Sequence, residues 1–481
     1  MTSPSPAGDR FGASPDAADA FWLSARSSSP FPCKHLPSMA SHIAIATFGS
    51  LGDLHPYLAL GAGLQMRGHA VTIATSSAHR ARVEAAGLMW RRMRPEMPDD
   101  PGLEAGFMDP RTGSEILFRR LVAPAVADSY ADLQEATRAA DLLVSTPLSI
   151  AAPLLAESAG LPWISALLQP MGFFSAYDFP VLSGAQRLTA ALHPLGRLVG
   201  RPMQRLAREA AGPWSEPVRV LRRTLGLPVP GPDPLFEGQH SPTLVMAMFS
   251  RLLAHAQPDW PPHVHITGPL FWDEAEAMAQ PCPDLDRFLA AGAPPIVFTL
   301  GSAAVNAAGR FYADSLAAAM ALGRRALFLV GAVPSNLAQL PDPLPKGMLA
   351  LPYVPHARVF AAAEVIVHQG GSGTLAEAMR AGRPMLAVPF GHDQPDNAAR
   401  AKRLGVARVV PAARYNAATA VHELRRLLTS AGAAERAVAV GREVRAEDGV
   451  GRACSLIEAI LQGDRHQSQI NLRGPARSPG A

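Results

Sequence analysis

The sequence predicts an α/β protein of two lobes, each a parallel sheet covered by helices. Three observations carry this expectation. The chain has 481 residues, more than one compact core holds, so two domains of about 200 residues each are expected. Short apolar strands alternate with helix-period segments in both halves, the pattern of βαβ units. Apolar residues make up 48% of the chain, enough for two full cores.

The elements follow in order. HIAIAT (42–47) is a strand, GSLGDLHP a glycine-punctuated loop, and YLALGAGLQMRGH a helix stopped at Gly68. AVTIAT (70–75), DLLVSTP (141–147) and LPWISALL (161–168) continue the strand series. Residues 169–240 mix Pro, Gly, Arg and aromatics with amphipathic pieces such as LTAALHPLGRLVGRPMQRLAREA, and read as an insertion of helices and loops. TLVMAMF (243–249) resumes the strands. A second set comprises PPIVFTLGS (294–302), RRALFLVG (324–331), GMLALPYVPH (347–356), AEVIVHQGGSGT (363–374) and RPMLAVPF (383–390). The expected boundaries are a disordered extension at 1–38, a first domain at 39–258, a proline-rich connection at 259–283, a second domain at 284–463 and a disordered tail at 464–481. Met39 stands directly before the first strand and is a candidate translation start, which N-terminal sequencing of native protein would decide.

Composition excludes several classes. Cations are almost all arginine, with lysine only at Lys34, Lys346 and Lys402, and they are scattered over a chain of net charge +4. A nucleic-acid surface needs a basic patch or stripe, so no nucleic-acid partner is expected. Cys33, Cys282 and Cys454 are odd in number and far apart, which fits a reducing, cytoplasmic compartment and neither a disulfide framework nor a zinc site. No run of 18 apolar residues spans a membrane, and the first residues lack the basic start and apolar core of a signal peptide.

The chemistry concentrates in residues 368–398. EVIVH runs up to His368, and Gly370, Gly371, Ser372, Gly373 and Thr374 form a tight turn into TLAEAMRAG. Glycines admit a ligand close to the backbone, and a helix start offers unpaired N–H groups with partial positive charge, an anion site. The alternative is an ordinary strand-to-helix turn capped by Thr374. One strand later Asp393 and Gln394 stand at the carboxyl edge of the same sheet, where ligands bind in open α/β folds. This pair suits vicinal hydroxyls. Upstream, Tyr353 could stack on a nucleobase or pack in the core, with His356 beside it; Glu377 could accept from a ribose diol or belong to a solvated helix face.

Base, ribose, phosphate and sugar contacts thus occur in order within one segment. Its pattern, aromatic-x-Pro-His, then His-x-Gly-Gly-x-Gly-Thr, then Asp-Gln, resembles the donor signature of family-one, GT-B glycosyltransferases. The resemblance covers roughly residues 40–460: GSLGDLHP is similar to that family's first loop, and PDWPPHVHITGPLF and FTLGS to its interdomain and first second-lobe segments. MDPRTG with EILFRRLVAPAV looks closest to bacterial rhamnolipid-type rhamnosyltransferases and their lipid-directed relatives, and the chain as a whole also resembles sterol/macrolide-type glucosyltransferases.

The resemblance implies two facing Rossmann-like domains, the first binding the acceptor and the second a nucleotide diphosphate sugar, UDP- or dTDP-linked. It implies inversion by direct displacement, with no further cofactor. Plant-type relatives carry a histidine where Asp53 stands, and bacterial and sterol-directed ones an aspartate, so Asp53 is the expected general base, worth roughly 10²–10⁴-fold in rate, with His55 as runner-up. Asp53 also fits a helix cap. The diphosphate would be held by His368, Gly370 to Thr374 and Ser302. No metal is implied; Asp284-Leu-Asp286 reads as a helix N-cap. Phe173, Phe174 and Tyr177 line an apolar acceptor pocket or form plain interdomain core. The acceptor is a small molecule or lipid, and the Arg-containing helices of the insertion either touch an anionic membrane peripherally or are solvated faces. Oligomeric state is not encoded legibly. Rival readings are a dinucleotide oxidoreductase, weakened by the missing third glycine of Gly-x-Gly-x-x-Gly, a non-catalytic nucleotide-sugar binder, and a nucleotide-sugar epimerase.

Overall fold

A computed structural model of the chain describes residues 40–98, 100–273 and 282–472. The expected extension at 1–38, with Cys33 and Met39, lies outside these residues.

Two parallel sheets form the frame. The first contains β1 (His42–Ala46), β2 (Ala70–Thr75), β3 (Met89–Arg92), β4 (Leu142–Ser145), β5 (Trp163–Leu167), β6 (Leu244–Ala247) and β7 (Val264–Ile266), in the order β3-β2-β1-β4-β5-β6-β7. The second contains β8 (Ile296–Thr299), β9 (Ala326–Leu329), β10 (Met348–Leu351), β11 (Val365–His368), β12 (Met385–Ala387) and β13 (Ala407–Val409), in the order β10-β9-β8-β11-β12-β13. In both sheets the strand order reverses beside the first strand, between β1 and β4 and between β8 and β11. Such switch points open a crevice at the carboxyl ends of the strands.

Strands buried on both faces read as continuous apolar runs, as IVFT in β8 and VIVH in β11 do, every residue of both being buried. Register follows from them: Ile43 pairs with Val71 and Leu142, and Val365 with Ile296. Helices close each sheet on both sides. Leu58, Leu60 and Ile457 pack on one face of the first sheet, Phe118, Leu133 and Leu155 on the other. In the second lobe Phe298 stacks on Phe328 at 5.2 Å on one face, while Val297, Phe360 and Val440 fill the other.

Five helices matter below: α1 (Leu51–Met66), α2 (Arg197–Ala211), α3 (Ser372–Ala381), α4 (Gln394–Arg403) and α5 (Gly449–Leu472). Two expected boundaries move. β7 comes from residues expected in the connection: despite the flanking prolines, Val264–Ile266 pairs with β6 and ends the first sheet. Of the remaining connection, 274–281 lie outside the described residues. Of the expected disordered tail, 464–472 continue α5 as helix, since no proline interrupts the run before 475. The α5 helix belongs spatially to the first lobe, although it ends the second domain in sequence. Arg67, the C-cap of α1, reaches Glu458 at 2.7 Å and the Gly451 carbonyl at 3.0 Å.

That crossing depends on Gly63, where a Cβ would lie 2.5 Å from Val450 Cγ1 and 3.1 Å from Cys454 Sγ. Gly63→Leu should therefore lower stability by about 1–3 kcal/mol or more through overpacking. Gly463→Ala, on a part of α5 with nothing within 4 Å of the added carbon, should raise it by up to about 1 kcal/mol through helix propensity. Denaturant melts of the two variants check the pair of opposite signs.

Candidate active site between the lobes

The loop after β1 is set by Gly49, whose φ of +137° suits glycine. A Cβ there would meet the Asp53 carboxylate at 2.4 Å. Asp53 is the third residue of α1, and its Oδ2 accepts from the Ser50 N–H at 2.8 Å and the Ser50 hydroxyl at 3.1 Å. The carboxylate thus closes the helix start as the third residue of a capping box whose N-cap is Ser50, one turn earlier than the cap weighed from sequence, and also lines the interlobe cavity. Burial outweighs the Ser50 bonds and raises its pKa above the ordinary aspartate value. His55 lines the same cavity, and burial first, then the Arg82 charge, hold it down to about 4, so it is neutral at neutral pH.

The facing wall is the turn between β11 and α3. Gly370 has φ +89°, and a Cβ on it would touch the Gln394 carbonyl at 3.0 Å. Leu375 makes the first backbone bond of α3, to the Gly371 carbonyl at 2.9 Å. The preceding N–H groups of Ser372, Gly373 and Thr374 are helix-start donors. Ser302, Gly371, Ser372, Gly373 and Thr374 line the cavity. A Cβ on Gly373 would sit 3.4 Å from Gly52 Cα, so the starts of α1 and α3 meet backbone to backbone.

His368 is corrected in position. It is fully buried and is not part of the cavity wall, because its Nδ1 turns inward to accept the Gly370 N–H at 3.1 Å. That bond leaves the proton on Nε2, which has no partner among the described residues. Burial, then His356, lower its pKa to about 3. Gly370 is likewise behind the wall.

Tyr353 is 52% exposed and lines the cavity beside His356, whose ring stacks on Phe360 at 4.5 Å. Glu377 lines it too while paired with Arg380 at 2.9 Å. Asp393 reaches the cavity with Asn397 Nδ2 donating to its Oδ2 at 2.6 Å. Burial first, then the Asp53 charge across the gap, push its pKa up to about 7. Gln394 also lines the cavity, but its carbonyl accepts the Phe390 N–H at 2.9 Å, so only part of the amide is available.

The aromatic cluster divides. Phe174 faces the cavity with φ +46°. Phe173 is corrected to core, since it stacks on Trp260 at 3.9 Å and on His240 at 5.5 Å. Tyr177 is not among the cavity's lining residues, because its segment turns toward the second lobe. There Asp178 meets Arg400 at 2.5 Å, and Arg400, 2% exposed, also pairs with Asp396 at 2.7 Å. Asp396 in turn accepts the Val181 N–H at 3.0 Å. Asp284 and Asp286 fall inside the first turn of the helix Pro283–Ala290 rather than at its cap, held by Arg287 and Arg358.

Sequence reasoning missed several cavity residues. Arg82 and His79 come from the segment after β2, with His79 Nε2 on the Gly49 carbonyl at 2.9 Å. Asn306 bridges the lobes to Glu104 at 2.8 Å, and Ser114 to His392 at 3.0 Å. Only Gly301 carried a local signal, in LGS: its φ is +61°, and a Cβ would strike Gln369 Nε2 at 2.3 Å.

The cavity measures about 1110 Å³, above the usual range for one small ligand and roomy enough for two. Helix-start donors, facing carboxylates and an apolar recess share one candidate site in a two-lobed GT-B fold. Solved structures agree on the fold: the glycotransferase of kitacinnamycin superposes with a TM-score of 0.66 at 22% identity, covering 88% of this chain and 99% of its own. The spinosyn rhamnosyltransferase complexed with thymidine diphosphate gives 0.61 at 20% identity, covering 86% and 99%.

Residues 43–164 match the glycosyltransferase family 28 N-terminal domain, and 326–450 the erythromycin biosynthesis protein CIII-like C-terminal domain. The O-mycaminosyltylonolide 6-deoxyallosyltransferase of Streptomyces fradiae is 34% identical over 429 residues, 86% of this chain and 96% of that protein. The sterol 3-beta-glucosyltransferase of Yarrowia lipolytica is 26% identical over 89% of this chain, which spans 29% of that longer protein. The chain belongs to this family of glycosyltransferases, and it is a glycosyltransferase.

The raised Asp393 pKa has a stability consequence. A carboxyl that binds its proton more tightly when folded stabilises the fold below its unfolded pKa, and this contribution is lost as pH rises through the folded one. Asp393→Asn should therefore melt higher than the parent at about pH 8, with the difference vanishing toward about pH 4. Thermal melts at the two pH values check this.

Proposed function

We propose that the protein is an inverting glycosyltransferase that moves a hexose from a UDP- or dTDP-linked donor to a hydroxyl of a small, lipophilic acceptor. The observation that carries this reading is a cavity shared by Asp53 on one wall and the α3 helix start on the other. The name of the Streptomyces fradiae relative extends the donor range to 6-deoxyhexoses.

In this reading the nucleobase lies by Tyr353, the ribose by Glu377 and the diphosphate at Ser372, Gly373, Thr374 and Ser302. The sugar hydroxyls donate to Asp393. The acceptor occupies the apolar recess beside Phe174. Its hydroxyl gives its proton to Asp53 as its oxygen bonds to the anomeric carbon, and the bond from that carbon to the diphosphate oxygen breaks. A raised pKa makes Asp53 a stronger base than a free aspartate, while its Ser50 bonds aim it. Charge leaves on the diphosphate, where preorganised N–H donors stabilise it. Neutral His368, with an unpartnered Nε2–H behind the turn, supports the diphosphate site from below.

Asp53→Asn should lower turnover by about 10²–10⁴-fold while nucleoside diphosphate affinity by calorimetry changes little. His368→Ala should weaken that affinity. The reverse assignment of effects contradicts the division of labour. A donor-by-acceptor screen read by mass spectrometry identifies the pair, and product NMR showing a retained anomer refutes inversion.

A further inference from the structure

The outer face of the 169–240 insertion has a composition unlike the rest of the surface. The thirty residues from 179 to 208 hold five arginines, at 187, 197, 201, 205 and 208, and no aspartate or glutamate, in a chain whose whole net charge is +4. Arg208 is taken by Glu237 and the Phe236 ring. Arg187, Arg197, Arg201 and Arg205 are exposed, and no ion pair with a described residue holds them.

Leucines lie among them in the open. Leu188 is 59% exposed, Leu195 52%, Leu198 76% and Leu206 59%. On α2, Leu198, Pro202 and Leu206 recur every fourth residue and form a strip along one exposed flank. Arg197, Arg201 and Arg205 precede them by one residue each and form a parallel strip. The opposite face of α2 is fixed inward: a Cβ on Gly200 would overlap the Ala176 carbonyl at 2.0 Å, and Ala207, Ala210 and Ala211 line the interlobe cavity. One helix therefore walls the apolar recess with its inner side and presents leucines beside unpaired arginines on its outer side.

We propose that this face, Leu188 to Leu206, docks on an anionic lipid membrane. An aliphatic strip flanked by cations of one sign, on a helix otherwise low in hydrophobicity, suits the boundary between acyl chains and charged headgroups. There the arginine stems lie along apolar surface while the guanidinium groups reach lipid phosphates. A protein partner would be met better by mixed charges setting register; between Asp178 and Glu209, the one acid on α2, the stretch carries arginines alone. Docking would set the recess beside the lipid phase, the reservoir of a lipophilic acceptor. The surface stands independently of the transfer reading, because its readout is binding to lipid.

The test is co-sedimentation of the full chain with vesicles of equal parts phosphatidylglycerol and phosphatidylcholine, and with phosphatidylcholine alone, at low ionic strength. The chain should partition to the anionic vesicles only and be released by salt. Arg197→Gln, Arg201→Gln and Arg205→Gln together should weaken partitioning by roughly fivefold per arginine. Leu198→Ser with Leu206→Ser should weaken it several-fold at unchanged charge, and both variants should melt like the parent because the changed side chains are exposed. Failure of the parent to sediment with anionic vesicles overturns the proposal. So does equal sedimentation of the variants, or capture of an acidic protein without vesicle binding.

Discussion

The arrangement depends on two helix starts brought face to face. Gly52 in α1 and Gly373 in α3 face each other with room for about one carbon between them, and each start carries a partial positive charge of about half an electron. Like poles at this distance are favourable only where anions sit between them. Asp53 supplies one negative group from within the chain, anchored to Ser50. The rest of the gap is the crevice both sheets open where their strand order reverses, with the helix-start N–H groups on its wall. A Cβ on Gly373 would rest in ordinary contact with the Gly52 backbone, so a small residue fits at the meeting point.

The lobes are held in register by contacts around this point. Asn306 with Glu104 and Ser114 with His392 tie the rim. The buried Asp178–Arg400–Asp396 cluster ties the insertion to α4, the helix that begins at Gln394 just after Asp393. Charges this buried are stable only as a set, because removing one partner leaves an unpaired ion in a dry interface. The insertion therefore follows α4 of the second lobe even though its chain comes from the first. The C-terminal α5, returning to α1, adds a second crossing.

Much of this was legible in the sequence, for identifiable reasons. Apolar runs such as IVFTL before Gly301 and VIVH before the glycine turn marked central strands and the loops at their carboxyl ends, and so pointed to Asp53, Ser372 and Asp393, which line the cavity. Strands with little apolar content were not: MWRR forms β3 at a sheet edge, and VHI forms β7 among prolines. Side-chain direction was also hidden. Phe173 and Phe174 are neighbours in sequence, yet one fills the core and the other the cavity, because a left-handed turn at Phe174 separates them. His368 looked like a wall residue from its motif and lies behind it, since its Nδ1 is used by the turn itself. Arg82, His79 and Asn306 had no local signature; only the tertiary fold brings them to the gap.

Diffraction from crystals grown with a nucleoside diphosphate tests the central claim most directly. The account predicts the terminal phosphate within hydrogen-bond distance of the Ser372, Gly373 and Thr374 N–H groups, with the Asp53 carboxylate facing it across the open space. A nucleotide bound elsewhere, or an Asp53 side chain turned out of the gap with the phosphate in place, would contradict it.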